Sequence, residues 1–548
     1  MSTRFLVFGF IALSTALCTV LAVMSGGGFA YALVALLPLF ALGIFDLAQR
    51  RHAILRNYPI TGHLRFLLES VRPEIRQYFI EGEKEALPFS HSQRAMVYKR
   101  AKIVNDAQAF GTLLDFREPG YAWMPHSIQP SVIEDHDFRV IVGGSRCKQP
   151  FALSVYNISG TSFGALSANA IGALNQGAKL GGFAQNTGEG SISPHHRRHG
   201  GDMIWQIATG YFGCRTAEGR FDPEKFRDVA ADPQVKMIEL KLSQGAKPGH
   251  GGVLPKAKLT EEIARARGVA MDRDCISPSR HSAFDTPIEL MELIENMRVL
   301  SDGKPIGLKL AVGHRCEVLA MIKAMLATGI SPDFLVIDGS EGGTGAAPLE
   351  LSDHVGMPLM DGLEFVHSAL VGAGLREEIR IGASGKLISA FDLAQAFAFG
   401  ADFALSARGF MFALGCIQAR NCHTNRCPTG IATQDAGRQR AIDVGDKAQR
   451  IANFHLNTLK ALAELLETAG LSGPAELTPG HIHIRQQDGR AVRGAARLGA
   501  IQPRALLRGQ IEGDLAEEWA LAQAISFQPI DKTEEHWESL RELARGIV

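Results

Sequence analysis

The chain has no net charge, because 57 lysines and arginines balance 57 aspartates and glutamates among its 548 residues. It therefore lacks the excess of basic residues that nucleic-acid binding requires, and we expect no nucleic-acid partner. Aromatic residues are also few, at 7%, whereas 58 glycines are present. This composition excludes a fibrous or disordered chain and favours a loop-rich α/β fold.

Disulfide pairs and a dinucleotide-binding motif are missing as well. Five of the eight cysteines show no paired spacing, which favours a reducing, cytosolic environment for the globular part. They are Cys18, Cys147, Cys214, Cys275 and Cys316. No G-x-G-x-x-G sequence follows a predicted strand, so the sequence offers no NAD(P)-binding domain.

Two long hydrophobic runs stand near the start of the chain, at residues 5–24 and 29–47, with a serine and three glycines between them. Each has about the 20 residues that a helix needs to cross a bilayer core. The sequence therefore predicts a transmembrane helical hairpin. A cleaved signal peptide is the alternative for the first run alone.

Basic residues flank the hairpin on both sides and predict its orientation. Arg4 precedes the first run, and Arg50, Arg51 and Arg56 follow the second. Because positive residues stay on the cytoplasmic side, we expect both ends, and the domain that follows, to face the cytoplasm from the inner (cytoplasmic) membrane. Asp46 is expected at the membrane interface.

From about residue 150, short apolar β-rich runs alternate with helical stretches. The runs are residues 151–158, 182–185, 237–242, 306–312, 334–337, 379–381 and 403–405. This alternation predicts a (β/α)8 TIM barrel with its site at the carboxyl ends of the strands. We expect the eighth strand in residues 200–220 or in an atypical form, and a doubly wound sheet is the alternative.

The predicted organisation has four parts. Residues 1–50 form two transmembrane helices, and residues 51–130 form a connector with an amphipathic stretch at 64–80. Residues 131–435 form the barrel with a cysteine-rich loop, and residues 436–548 form a C-terminal helical extension.

Three cysteines lie close together in that loop, namely Cys416, Cys422 and Cys427, with five and then four residues between them. Soft thiolate ligands suit iron–sulfur clusters. Three thiols favour a 3Fe–4S cluster over a 4Fe–4S cube whose fourth iron has another ligand. The spacing is not that of a zinc ribbon. Three structural cysteines in a buried loop are the alternative.

The segment 415–434 resembles the cluster-binding stretch of the glutamate synthases. Five further segments resemble the FMN-binding synthase domain of that family in the same order: residues 159–167, 186–190, 244–249, 342–345 and 381–385. The resemblance covers roughly residues 130–435. It implies bound FMN and a reaction in which an imine of 2-oxoglutarate and ammonia is reduced to glutamate.

FMN requires a phosphate site and a positive group near the electron-rich edge of its ring. Two glycine-rich turns with a lysine and an arginine follow the last two predicted strands, where barrels build phosphate sites. Lys309 lies in an apolar strand, where a lysine is costly unless it meets an anion. A structural ion pair is the alternative. The predicted FMN-binding residues are Ser162, Gly164, Asn186, Lys241, Lys309, Gly342, Gly343, Thr344, Gly345, Ser384, Gly385, Lys386, Arg408 and Gly409.

The resemblance also implies a dicarboxylate site with fixed cations. Lys247 and Arg267 are the candidates for the substrate carboxylates, and Arg280 is a third. Glu189 is the candidate acid or base that protonates or orients the imine nitrogen. A surface salt bridge is the alternative for Arg267, and a turn cap is the alternative for Glu189.

The chain departs from the family's pattern in its substrate loop and at its start. His250 and Val253 stand where the large synthases have a glutamate and a glutamine, which leaves the substrate and amino donor open. No glutaminase domain precedes the barrel. We therefore expect ammonia or another amine from outside, with a separate glutaminase subunit as a possible source. Electrons are expected from a ferredoxin or a reductase.

Two other functions remain open at this point, and so does the direction of the reaction. One is the transfer of an amine or methylamine group onto glutamate, a reaction known for relatives of this domain. The other is a non-enzymatic electron-transfer module in the membrane. Such a relay would need no dicarboxylate site.

Overall fold

A computed structural model describes residues 3–25, 27–49, 52–85, 87–494 and 501–529. It divides into two compact units, Met1–Ser92 and Gln93–Val548. The strands, in chain order, are β1 Ala122–Trp123, β2 Arg139–Val142, β3 Phe151–Ser154, β4 Tyr156–Ile158, β5 Gln185–Asn186, β6 Met203–Ile207, β7 Val235–Lys241, β8 Val253–Leu254, β9 Cys275–Ile276, β10 Ile306–Leu310, β11 Phe334–Asp338, β12 Arg380–Ser384, β13 Phe403–Ser406, β14 His483–Arg485 and β15 Ala491–Arg493.

The helices follow the same order. They are α1 Leu6–Ser25, α2 Gly28–Ala48, α3 Ala53–Asn57, α4 Thr61–Ile75, α5 His91–Lys102, α6 Ala168–Gly181, α7 Pro194–Arg197, α8 Pro223–Ala230, α9 Glu261–Arg267, α10 Pro287–Leu300, α11 Arg315–Thr328, α12 Leu349–His354, α13 Leu359–Ala373, α14 Ala390–Ala398, α15 Arg408–Leu414, α16 Ala436–Gln439, α17 Val444–Thr468 and α18 Asp514–Leu521. Short 3-10 turns occupy Thr3–Phe5, Lys256–Lys258, Pro474–Glu476 and Pro479–His481, and a π turn Arg76–Ile80 continues α4.

The first unit contains the two predicted apolar helices, α1 and α2. Both are long and apolar enough to cross a membrane by length and composition. They pack closely, since a Cβ atom at Gly43 would overlap the ring of Phe8, and Phe8 stacks on Phe40 at 5.9 Å. The helical hairpin predicted from the sequence is thus present as two helices in contact.

Asp46 fastens the end of α2 to the start of α4. Its side chain is fully buried, and its Oδ2 accepts a hydrogen bond of 2.8 Å from the Ile60 amide. His63 Nε2 lies 2.9 Å from Oδ1. The sequence placed Asp46 at a membrane interface, whereas within this unit its carboxylate is enclosed by the chain that follows the hairpin.

The second unit is built around a closed barrel of eight parallel strands. Their order around the barrel is β4, β5, β6, β7, β10, β11, β12 and β13. The eighth strand, missing from the predicted set, is β6, which lies inside the predicted residues 200–220. The barrel prediction is confirmed, and the doubly wound alternative is wrong.

The interior of the barrel changes from apolar to polar along its axis. Alternate residues of a strand share a face, so Met237, Glu239 and Lys241 of β7 point the same way. Met237 belongs to an apolar cluster that also includes Val142 and Leu153 from the antiparallel β2–β3 hairpin. Glu239 and Lys241, nearer the carboxyl end, are buried polar groups. The polar half forms the base of the candidate site.

The C-terminal part contains a small sheet besides its helices. Helix α17 packs on α6, and β14 pairs with both β1 and β15 in a small antiparallel sheet. Helix α18 lies against α11, where Glu518 pairs with Arg315 at 3.0 Å. Residues 495–500 and 530–548 of the predicted extension lie outside the described residues.

Candidate functional site

The predicted site residues gather at the carboxyl ends of the barrel strands. Lys241 ends β7, Asp338 ends β11, and Asn186 ends β5, while Lys309 lies one residue before the end of β10. Parallel strands in a barrel present their carboxyl ends on one face. The fold therefore brings side chains from distant parts of the sequence to a single opening.

Glu189 is the centre of this opening. Lys241 Nζ donates a 2.8 Å hydrogen bond to Glu189 Oε2, and both side chains are largely buried. Burial by itself raises the pKa of Glu189, but Lys241, Arg267 and Lys247 together outweigh burial and hold that pKa below its ordinary value. Glu189 is therefore an ionised carboxylate surrounded by cations, and the turn-cap alternative is wrong.

Lys247 is buried without a direct partner for its ammonium group. It is 4% exposed, and no hydrogen bond or ion pair of its Nζ occurs among the described residues. Burial lowers the pKa of Lys247, and Lys241 lowers it further, whereas Glu189 acts in the opposite direction. Lys247 is therefore a buried cation that meets Glu189 through space and not through a direct bond.

Arg267, in α9, is likewise buried, at 4% exposure. Its Nη2 donates to the Phe163 carbonyl at 3.1 Å, its guanidinium lies 5.1 Å from the Phe212 ring centroid, and its Nε has no hydrogen-bond partner. No carboxylate lies within 4 Å of it in the described part of the chain. The surface salt bridge considered for Arg267 is therefore wrong.

Arg280 does not belong to the site. Its side chain is 83% exposed and pairs with Asp285 at 3.2 Å on the surface. The sequence could not separate Arg280 from Arg267, because both are arginines in the same long β7–β10 connection and only the fold buries one of them.

A small cavity opens beside Glu189. Its lining is shared by the ends of β6 and β7 and the glycine-rich substrate loop: Glu189, Ala208, Thr209, Lys241, Leu242, Ser243, Gln244, Gly249, His250, Gly251, Gly252, Pro278 and Ser279. A Cβ atom at Gly252 would overlap Glu189 Oε1, so a larger residue there would displace the Glu189 carboxylate. His250 is exposed at the rim, with Nδ1 2.8 Å from the Gly251 carbonyl oxygen.

Two buried polar residues of the barrel interior, Glu239 and Gln206, were not predicted from the sequence. Glu239 is fully buried, and its Oε1 accepts hydrogen bonds from Asn186 Nδ2 at 2.9 Å and Gln206 Nε2 at 2.6 Å. Among the described residues its Oε2 has no hydrogen-bond partner, and neither has the buried Thr161 Oγ1. Buried polar atoms are normally paired, so these two atoms fit a ligand inside the barrel mouth.

Glu239 could have been found from the sequence, since it lies two residues before Lys241 in an apolar strand and so shares its face. Gln206 could not, because it lies in β6, the one strand that the sequence did not resolve.

The two predicted phosphate turns are present at the ends of β12 and β13. Gly385 and Lys386 adopt positive φ angles of 148° and 54°. Burial lowers the pKa of Lys386 and lowers that of Arg408 to about 10. Arg408 Nη2 donates to the Glu341 carbonyl at 2.5 Å. Two neighbouring cations in glycine-rich turns suit a phosphate group.

The loop after β11 lies across these turns. A Cβ atom at Gly343 would come within 2.6 Å of Arg408 Nη1, and one at Gly345 would touch Cys422 at 3.8 Å. Gly343, Thr344 and Gly345 are exposed. Lys309 Nζ lies 3.6 Å from Asp338 Oδ1, and Asp338 Oδ2 accepts from the Gly245 amide at 2.8 Å. Lys309 thus forms the ion pair that the sequence left open as an alternative.

The other predicted FMN residues lie at the neighbouring strand ends. A Cβ atom at Gly188 would come within 2.7 Å of the Ser162 amide nitrogen, so the β4 and β5 loops approach closely. Gly164 faces Arg267, whose Nη2 would lie 3.3 Å from an added Cβ atom. Gly409 donates its amide hydrogen to Ser406 Oγ at 3.3 Å, and Ser159 Oγ lies 3.4 Å from Ser384 Oγ.

The three cysteines of the loop are free thiols. Burial, together with Cys422 and Cys427, raises the pKa of Cys416 to about 12. Burial also tends to raise the pKa of Cys427. Hydrogen bonds from the Thr429 side chain and from the backbone amides of residues 429, 431 and 432 outweigh this effect, so the pKa of Cys427 is lowered. Amides directed at a sulfur stabilise a thiolate, which is the form that binds metal.

Within the described ranges, no three His, Cys, Asp or Glu side chains are arranged to hold a metal ion. A cluster differs from a single ion, because it distributes its thiolates over several iron atoms and so spaces them farther apart. The donor set, three thiols without a carboxylate or imidazole, fits iron and sulfide.

The family model for the conserved region in glutamate synthase matches residues 126–472, more than half of the chain. The glutamate synthase large subunit-like protein YerD of Bacillus subtilis is 37% identical over 82% of this chain and 93% of its own length. The archaeal glutamate synthase (NADPH) of Methanocaldococcus jannaschii is 35% identical over 60% of this chain and 61% of its own.

Among solved structures, the flavin-binding domain of baker's yeast flavocytochrome b2 aligns over 83% of this chain and 91% of its own, at 12% identity. Its TM-score is 0.39, too low to support an argument. The sequence relationships, the matched region and the closed barrel agree with one another. The chain belongs to the glutamate synthase family of oxidoreductases.

Proposed function

We propose that this protein is an FMN- and iron–sulfur-dependent oxidoreductase that reductively aminates a 2-oxo dicarboxylate, with 2-oxoglutarate as the best candidate. One observation carries the proposal. Three buried cations, Lys241, Lys247 and Arg267, act on the single carboxylate of Glu189. Because Lys241 pairs directly with Glu189, Lys247 and Arg267 are left without a carboxylate in direct contact among the described residues.

Unbalanced buried charge is costly, and a dianion from solution would offset it. A 2-oxo dicarboxylate supplies two carboxylates, one for Lys247 and one for Arg267. The same observation weakens the relay alternative, because a module that only transfers electrons has no use for a dianion site. It does not distinguish ammonia from methylamine as the nitrogen source.

The residues at the opening fit FMN. Lys386 and Arg408, in adjacent turns, would hold its phosphate, and Lys309 would meet the electron-rich edge of the ring once it turns from Asp338. Glu239 Oε2 and Thr161 Oγ1 are buried acceptors or donors that still lack a partner. When bound, the flavin supplies the two electrons that reduce a carbon–nitrogen double bond.

The chain's own residues bind and protonate the substrate. A 2-oxo acid and ammonia form an imine and release water; two electrons and two protons then convert the imine into the amino acid. Lys241 orients the Glu189 carboxylate. A dianion that neutralises Lys247 and Arg267 weakens two of the effects that lower the pKa of Glu189, so that pKa rises on binding. Substrate thereby prepares Glu189 to hold a proton near the reacting nitrogen.

Cys416, Cys422 and Cys427 would hold the cluster, with 3Fe–4S preferred. Electrons would enter singly from an external donor, a ferredoxin or a reductase. Ammonia would come from solution or from a separate glutaminase subunit. The NADPH in the names of the archaeal relatives belongs to those proteins.

Replacing Cys416, Cys422 or Cys427 by serine should remove iron and acid-labile sulfide, because a serine oxygen is a poor ligand for iron–sulfur clusters, while part of the FMN stays bound. Metal analysis and absorption spectra measure both. Cys316→Ser, at a half-buried cysteine distant in sequence, is the matched control and should keep the wild-type iron content. Wild-type protein with zinc and no sulfide would exclude the cluster.

Lys247→Ala should weaken 2-oxoglutarate binding by about 100-fold or more, because losing one partner of a buried charge pair costs roughly 3–5 kcal/mol. The flavin spectrum should stay unchanged. Titration of the FMN absorbance with 2-oxoglutarate measures both quantities.

Arg280→Ala is the control for this titration, since Arg280 lies on the surface, and it should bind like the wild type. A wild type that responds only to another acid or to an amine would favour amine transfer onto glutamate. A wild type that responds to no small molecule would favour the relay.

We further propose that α1 and α2 anchor the protein in the inner membrane with the barrel in the cytoplasm. The support is their length, their apolar composition and the flanking arginines. In this arrangement the domain boundaries predicted from the sequence, at residues 50, 130 and 435, would separate the anchor, connector, barrel and extension.

Deletion of residues 1–50 should release the protein from membranes with FMN still bound, because the barrel unit begins at Gln93 and loses no internal contact. Membrane fractionation and FMN content of the truncated and full-length chains test this expectation. Retention of the truncated chain in the membrane fraction would place the anchor elsewhere, and loss of FMN would make the N-terminus part of the catalytic fold.

A further inference from the structure

Lys258 is a buried lysine at the junction of three segments. It ends the 3-10 turn Lys256–Lys258 between β8 and α9, and it is 3% exposed. Its Nζ donates to the carbonyl oxygens of Ala165 at 2.8 Å, Cys422 at 3.3 Å and Ala432 at 3.4 Å. It thus joins the β4–α6 loop to the middle of the cysteine-rich segment, at Cys422, and to its C-terminal end, at Ala432.

The three contacts favour the charged form of this side chain, although burial lowers the pKa of Lys258 to about 8. Three carbonyl oxygens accept from one nitrogen, and only an ammonium group has three hydrogens to donate. No carboxylate lies within 4 Å of Lys258 in the part of the chain that the structure describes. Its positive charge is therefore not cancelled by a neighbouring acid.

The groups that this charge does meet are the thiols. Cys422 and Cys427 both act electrostatically on Lys258. The neighbouring Asn425 Nδ2 also donates to the Ala257 carbonyl at 3.3 Å, so the turn and the cysteine loop are fastened at two points. Another buried cation, Arg94, acts on the remaining thiol, Cys416.

We propose that Lys258 is a positioning residue that raises the reduction potential of the iron–sulfur cluster held by Cys416, Cys422 and Cys427. The inference rests on the proposed cluster. When the cluster takes one electron from its external donor, its negative charge grows by one. A fixed, water-excluded cation beside two of its thiolates stabilises that reduced state more than the oxidised state, because net charge and surroundings set cluster potentials.

Lys258 also places the cluster relative to the substrate site. Ala165 follows Gly164, which faces Arg267, and α9 begins three residues after Lys258 and ends at Arg267. The Gln434 amide adds hydrogen bonds to the carbonyls of Gly164 at 3.0 Å and Leu166 at 2.9 Å. The cluster loop is therefore held against the loop that borders the proposed flavin.

The test compares Lys258→Met with Lys256→Met in the full-length, detergent-solubilised protein. Both changes remove one positive charge from the same turn, but Lys256 is exposed and its charge is screened by water and salt. The measurement is the midpoint potential of the cluster, from a redox titration followed by electron paramagnetic resonance. Iron, sulfide and FMN contents are determined on the same samples.

Lys258→Met should shift the midpoint to a lower potential with cofactor contents unchanged, while Lys256→Met should match the wild type. Lys258→Arg, which keeps the charge, should stay near the wild-type value. Equal potentials in Lys258→Met and wild type, or an equal shift in both methionine variants, would overturn the inference.

If the Lys258→Met variant loses its cluster, the Lys258→Arg variant decides whether the positive charge matters. A retained cluster at the wild-type potential supports the role of charge, and loss of the cluster there too overturns it. Wild-type protein without iron and sulfide would instead refute the proposed cluster, and the inference would fall with it.

Discussion

The ion pair between Lys241 and Glu189 determines the electrostatics of the barrel mouth. An unpaired lysine at the end of the buried strand β7 would be costly. An unpaired glutamate buried in the β5–β6 loop would be costly as well. As an ion pair, with Lys241 Nζ 2.8 Å from Glu189 Oε2, the two side chains are compatible with burial. Lys247 and Arg267 then add two positive charges with no described carboxylate in direct contact. The chain tolerates this arrangement because the site borders an opening through which an anion can enter.

The layered interior explains why these charges lie where they do. The β2–β3 hairpin and the lower halves of the strands fill the barrel with apolar side chains, including Val142, Leu153 and Met237. That end is a packed apolar core. In the carboxyl half, Asn186, Gln206 and Glu239 form one hydrogen-bonded group.

One short stretch, residues 256–267, connects the parts of the proposed site. Lys258 fastens the cysteine loop, and Arg267, nine residues later, acts electrostatically on Glu189. A shift of this stretch would move the cluster loop and the substrate cation together. The proposed sites of electron entry and of substrate binding are thus joined by a single segment.

Much of the fold could be predicted from the sequence, because parallel strands buried on both faces give apolar runs that alternate with helices. The position of strand β6 was not predicted, because its region around Trp205 and Gln206 is flanked by glycines and lacks a simple apolar run. Motifs located Glu189, Lys247 and Arg267, but burial alone separated Arg267 from Arg280. The ion pair of Lys309 with Asp338 and the roles of Glu239 and Lys258 depend on contacts across the barrel, which no local pattern encodes.

The most direct test of the central claim is calorimetric titration of the holoprotein with 2-oxoglutarate and with 2-oxopentanoate, in which a methyl group replaces the distal carboxylate. Two unbalanced cations predict that the dicarboxylate binds about 100-fold more tightly or better, since each tenfold corresponds to about 1.4 kcal/mol. Equal affinity for the two acids would contradict the account, because one of the two buried cations would then have no substrate carboxylate to bind.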